Sequence, residues 1–271
     1  MTDQMKMRSG APVTQAIPVT TPRWLRRVSV FAILTNTIVF VVVNYWIYTA
    51  RFRFIDTHPA YVAKQPPTIS RAISDNLIGD PFAFWIAVCA VLLALGVLPI
   101  GMLYRRASHA SNGVSERVGA IVRILPPLVI ASQFIAAIGM YMLSNFRFPD
   151  NGALHMIGSY LFFGFETLTV LLSSITCWHL GRNATVVSRL STDFSIAPGM
   201  SAFRWKLGIL VLMMAATYIL LFVIKDMNLP IDGKAVYATY VLLEPAVISG
   251  FLIYLLSFNI DLARLVMGSR S

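Results

Sequence analysis

The sequence predicts an all-α polytopic membrane protein built as a six-transmembrane-helix bundle, and three observations predict it. The chain is 57% hydrophobic and only 13% charged, whereas a soluble domain carries roughly 25% charged residues. So little charge cannot cover a water-soluble surface. Six apolar runs meet or approach the roughly 20 residues that a helix needs to cross about 30 Å of hydrocarbon. Finally, Lys and Arg alternate in abundance between successive connections, as they do in chains threaded through a bilayer.

Taken in order, residues 1–22 include the stretch SGAPVTQAIPVTTP, which is polar, rich in Pro and Thr and without apolar period. They are expected to form a disordered cytosolic tail. Residues 23–271 are expected to form one membrane domain, with spans at about 28–50, 82–104, 124–146, 153–180, 207–224 and 235–260. The first run is longer than a signal-peptide core and is followed by Arg51 rather than by a small-residue cleavage site, so it is expected to stay as an anchor. The longest connection, 51–81, contains Pro66 and Pro67 and the turn-forming Gly79, Asp80 and Pro81. It is long enough to fold over the mouth of the bundle.

The orientation follows from the basic residues. One set of connections holds Lys6, Arg8, Arg23, Arg26, Arg27, Arg105, Arg106, Arg117, Arg123, Arg182, Arg189, Arg204, Lys206, Arg264 and Arg270. The other set holds Arg51, Arg53, Lys64, Arg71, Arg147, Lys225 and Lys234. The richer side is expected to be cytosolic, with both termini on it. The formal net charge of +10 is thereby assigned to topology and not to a nucleic-acid partner. The Asn183 sequon falls on the expected cytosolic side and should stay unglycosylated. Cys89 and Cys177 lie in apolar runs and read as small buried hydrophobes.

Within the spans only two carboxylates occur, Glu166 and Glu244. A charge in the bilayer centre costs about 2.5–3.5 kcal/mol even on insertion scales, so each should face the bundle interior and find a partner. Both are reached from the non-cytosolic side, about 18 and 12 Å along their helices, and are expected to line one polar pocket open to that side. Glu166, Thr169, Ser173 and Thr176 share one helical face, as do Tyr237, Tyr240 and Glu244. Pro245 frees a backbone carbonyl one turn before it and is a candidate kink. Asn36, Asn44 and Gln133 are expected to complete the polar network, which serves either a ligand or interhelical hydrogen bonding.

Catalytic signatures are missing. His58, His109, His155 and His179 follow no metal-ligand spacing. The sequence has no GxSxG, no P-loop and no Lys inside a span, so no cofactor, metal or catalytic residue is assigned. Arg105, Arg106, Arg204 and Lys206 are candidate contacts for anionic lipid headgroups on the cytosolic face.

The stretches PPTISRAISD at 66–75, PDNGA at 149–153 and VYATYVLLEPAVISGFLIYLLSFNIDL at 236–262 resemble a known six-span family. It unites the damage-regulated autophagy modulators (DRAM-like proteins), the suppressor-of-four-kinase protein of yeast and the GPI-anchor lipid-remodelling factor. Order and spacing agree over almost the whole chain after the tail. The positions carried over are Glu244, the loop residues Pro67, Ser70 and Asp75, and Asp150, Gly152 and Ala153. Pro245 stands where relatives carry an aromatic residue, and Pro149 where they carry a His. The resemblance implies work on membrane lipids in the plasma membrane or an endomembrane such as Golgi or lysosome. The leading expectation is a non-enzymatic lipid-binding organiser or adaptor, phosphoinositide- or autophagy-linked, with membrane lipids and a peripheral cytosolic-face protein as partners. The alternative is GPI-anchor lipid remodelling. A small proton-coupled transporter using the two glutamates is third, read from the intramembrane acids themselves.

Overall fold

Hydrocarbon offers no water to an unpaired backbone N–H or C=O, so a spanning segment satisfies its polar backbone within itself by forming a helix. The computed structural model describes residues 22–110, 116–182, 198–227, 230 and 232–267, and among them every regular element is helical. The chain runs through α1 (Arg23–Thr57), two single-turn helices α2 (Pro59–Val62) and α3 (Ile69–Ala72), then α4 (Asn76–Ala110), α5 (Glu116–Asn145) and α6 (Gly152–Arg182). It continues through α7 (Pro198–Ile224), α8 (Gly233–Leu256) and α9 (Asn259–Met267). Among the described residues six stretches are long and apolar enough to cross a membrane, the last being α8 continued by α9. The tail at 1–21, the Asn183 sequon and the side chain of Arg106 lie outside the described residues.

α1, α4 and α6 overrun the apolar windows at both ends, because lipid thickness limits the apolar run while the helix stops only where a breaker or cap stops it. α1 begins directly after Pro22 and runs on to Thr57. α8 starts at Asp232, whose side chain accepts the Lys234 N–H at 2.9 Å, a side-chain N-cap. One expectation is corrected. Gly79, Asp80 and Pro81 form no turn: the Asp75 carboxylate caps α4 by accepting the Leu77 N–H at 2.8 Å, so these three sit in the opening turns of that helix. The last span runs through a turn at Ser257 and Phe258 between α8 and α9. Pro245, by contrast, lies inside an uninterrupted α8.

Each long helix packs on its neighbour in the chain, and α8 returns to α1, so the six close into a ring. The α5–α6 pairing is the most extensive. Toward the turn that joins them Gly139 and Gly158 face each other: a Cβ on Gly139 would overlap the Phe162 amide and the Gly158 carbonyl, and one on Gly158 would meet the Leu143 amide and the Gly139 carbonyl. Small residues allow this close backbone approach, the usual device where apolar burial cannot drive helices together in lipid. Leu34, Phe84, Met213 and Leu220 are exposed on the outside, as a lipid-facing surface requires.

Six crossings place both ends of the membrane domain on one face, here the tail face, with the 58–75 connection on the opposite, loop face. At the tail face Arg204 of α7 is wholly buried and pairs with the equally buried Asp261 of α9 at 2.7 Å. It also donates to the Ser257 carbonyl at 2.9 Å, to the Ser257 hydroxyl at 3.2 Å and to the Tyr104 hydroxyl at 3.2 Å, and lies over the Phe258 ring. The expected headgroup contact of Arg204 is therefore overturned: its guanidinium is consumed in fastening α4, α7 and the α8–α9 turn. Lys206 and Arg105 are exposed near the same face. Asn259 anchors α9 to α1 by accepting from Asn36 at 3.0 Å, and Arg26 donates to the Val266 carbonyl at 2.9 Å.

Candidate functional site

Beneath the loop face the ring leaves a cavity of about 410 Å³, within the size range of small-molecule sites. Its walls come from α1 (Val43, Ile47), α4 (Phe82, Ile86), α5 (Met140), α6 (Phe162), α7 (Tyr218, Phe222) and α8 (Ile248). α3 forms its cover. The lining is apolar toward the centre of the bundle and polar beneath the cover, where Ser70, His155, Tyr240 and Glu244 gather.

The cover is held by side chains that the spans bring to it. Thr68 caps α3 by accepting the Arg71 N–H at 3.0 Å. Ile69, in the first turn, has no intrahelical partner for its N–H, and donates it to Glu244 Oε2 at 2.8 Å. Arg51 reaches the same helix at the Val241 carbonyl, 3.5 Å away. Arg147, between α5 and α6, donates to the Ile73 carbonyl at 3.3 Å and pairs with Asp80. The loop is thus fastened to α4, α8 and the α5–α6 turn.

A histidine and a serine meet under this cover. His155, buried one turn into α6, has Nδ1 2.9 Å from the Phe146 carbonyl and Nε2 2.8 Å from Ser70 Oγ. A carbonyl only accepts, so Nδ1 carries the proton. In the neutral ring Nε2 is then the acceptor for the Ser70 hydroxyl. Nearby, Tyr218 and Tyr240 stack at 5.0 Å with their hydroxyls 3.3 Å apart, and Lys225 lies over the Phe222 ring at the rim.

Glu166 belongs elsewhere. It accepts from Gln133 Nε2 at 2.6 Å and lines a separate cavity of about 30 Å³ with Thr169, Ser173 and Thr176. Phe162, a wall of the larger cavity, packs edge-on against Phe251, a wall of the smaller one. One pocket shared by both glutamates is thus corrected to two cavities with this aromatic contact between their walls. The expected network also divides. Gln133 joins Glu166, but Asn36 pairs with Asn259 and Asn44 accepts from Ser249 at 2.6 Å, which are interhelical fastenings that bond neither carboxylate. Ser173 returns its hydroxyl to the Thr169 carbonyl at 2.5 Å; the Thr169 hydroxyl has no partner among the described residues.

The family model for the Frag1/DRAM/Sfk1/Cwh43P N-terminal domain matches residues 24–265, which take in all six spans and the loop over the cavity. The chain belongs to this family. No curated protein and no solved structure matches it. In this Frag1/DRAM-type chain the positions carried over from the resemblance divide by location. Pro67 is buried just ahead of α3, Ser70 and Glu244 line the cavity, and Asp75 caps α4 while facing His58 at 3.7 Å. Asp150 and Ala153 are exposed at the α5–α6 turn, with Gly152 beside them under the Phe148 ring. His155 went unassigned because its partners, Ser70 and Phe146, are not at helical spacing from it. The available signal was a lone imidazole in the first turn of an apolar span, a buried polar group that requires partners.

Proposed function

We propose that this multi-pass membrane protein binds one amphipathic lipid in the cavity under α3, its acyl part among the apolar side chains and its polar part at Ser70, His155, Tyr240 and Glu244. The observation that carries this reading is the graded lining, apolar at depth and polar beneath the cover, which matches the two ends of a lipid. Tyr237 at the rim supplies a hydroxyl suited to a polar headgroup, beside Lys225, whose ammonium is paired with Asp226. With both termini in the cytosol, as the basic residues favour, the cavity opens to the lumenal or extracellular side. Arg105 and Lys206 then lie on the cytosolic side, the side of anionic inner-leaflet lipids and of a peripheral protein. This is the arrangement of an organiser that couples lipid on one side to an adaptor on the other.

Mass spectrometry of lipids retained by the purified protein tests it. Wild type is expected to carry a stoichiometric lipid, Ile248→Trp to lose it by filling the cavity, and Glu244→Gln to retain less. Equal lipid in all three proteins, each still monodisperse, would overturn the reading. A second reading, lipid remodelling of GPI anchors, draws on the same cavity and on ester-level polar groups within it; an unchanged anchor lipid profile after loss of the gene excludes it. Proton-coupled transport finds less support, because Glu166 and Glu244 line separate cavities.

A further inference from the structure

We infer that Ser70 and His155 form a nucleophile–base pair that accepts an acyl group from a long-chain carboxylic ester held in the cavity. The inference rests on the lipid site proposed above and goes beyond it by assigning chemistry. A serine hydroxyl is a weak nucleophile until a base takes its proton, and the signature of an activated one is a hydrogen bond to a base that a third group orients. All three parts are present. Ser70 Oγ lies 2.8 Å from His155 Nε2, and the ring is fixed by its Nδ1–H on the Phe146 carbonyl at 2.9 Å. Phe146 directly follows α5 and His155 lies in the first turn of α6, so the close α5–α6 packing holds the base rigidly, while Glu244 positions the nucleophile by fixing the neighbouring Ile69 amide.

The surroundings suit a lipid ester. Ser70 is half-buried, His155 is buried, and both line the cavity, whose apolar depth receives the acyl chain while the ester carbonyl lies at the polar cover. The step balances as an acyl transfer. Ser70 Oγ attacks the carbonyl carbon as its proton moves to His155 Nε2. The tetrahedral adduct then expels the alcohol oxygen, which takes that proton, leaving the acyl group on Ser70. A hydroxyl from a second lipid alcohol or from water, deprotonated by His155, attacks the acyl-serine and returns the proton to Ser70. A purely structural hydrogen bond between loop and span would hold the same distances without reacting.

The experiment uses the full chain purified in detergent and a long-chain alkyl fluorophosphonate, with the modified residue mapped by peptide mass spectrometry. One adduct on Ser70 is expected in wild type. Its rate of formation should fall about 100-fold or more in His155→Ala, the usual scale of general-base assistance, and stay unchanged in Glu166→Gln, which lies in the other cavity. Mapping in wild type keeps the test independent of whether Ser70→Ala folds. A second probe, p-nitrophenyl palmitate, should release one equivalent of nitrophenol in a burst and leave a palmitoyl group on Ser70. Wild type that retains co-purified lipid yet shows neither adduct overturns the nucleophile and spares the lipid site. Protein that is monodisperse, carries no lipid and is unreactive overturns both.

Discussion

The Glu244 carboxylate accepts the Ile69 backbone N–H at 2.8 Å, joining the sixth span to a loop residue 175 positions earlier. The bond solves two problems at once. It gives an orphan amide of a one-turn helix its acceptor, and it gives a carboxylate buried among helices a donor.

The bond predicts a graded response. Glu244→Gln keeps an oxygen acceptor and should leave the cover in place. Glu244→Ala leaves the Ile69 N–H unpaired in a buried setting, a loss of about 1–3 kcal/mol. Limited trypsinolysis of the detergent-solubilised protein reads this directly, since Arg71 lies in α3. Cleavage after Arg71 should accelerate in the alanine variant and remain near wild type in the glutamine variant. Identical digestion of all three proteins would mean that the bond does not hold the cover.

At the tail face, Arg204 and Asp261 make a different prediction. Both are 0% exposed, so removing one partner strands the other charge away from water, at a cost of about 3–5 kcal/mol. Asp261→Ala and Arg204→Ala should each lower the melting temperature steeply. The double variant Arg204→Met, Asp261→Leu removes both charges and keeps volume, and should melt well above either single variant. A double variant as unstable as the worse single one would show that the other bonds of Arg204, to Tyr104 and Ser257, carry the fastening instead.

These two clusters also mark where sequence reading stops. Spans are legible because hydropathy sums over some 20 residues against one fixed thickness, a sum that no single side chain upsets. The buried status of Glu166 and Glu244 followed from the same solvent argument. Partner identity did not. Arg204 sits near the start of its span, where a cation normally reaches headgroups, and only the placement of α9 behind it reveals that it points inward. Ser70 and His155 are 85 positions apart, and no periodicity links a loop serine to a helix opened by a different turn. Likewise the Phe162–Phe251 contact that lies between the two glutamate cavities depends on how α6 meets α8, which the helical faces of each taken alone do not determine.

The remaining prediction concerns orientation, which the proposed function needs in order to place the cavity on the lumenal or extracellular side. Lys64 is exposed on the loop face and Lys206 is exposed near the tail face, so a single cysteine at each position samples the two sides. The native thiols give little background, because Cys89 and Cys177 are both buried, and Cys177 is further occupied by the Tyr104 hydroxyl at 3.7 Å. With a membrane-impermeant maleimide applied to intact cells, and the protein directed to the cell surface, Lys64→Cys should label at once. Lys206→Cys should label only after permeabilisation, because its side of the bundle collects the greater share of Lys and Arg, which resists translocation. The reversed pattern would turn the molecule over, leaving Ser70, His155 and Glu244 facing cytosolic lipids and Arg105 and Lys206 facing away from the inner leaflet, where their attraction to anionic headgroups would have no counterpart.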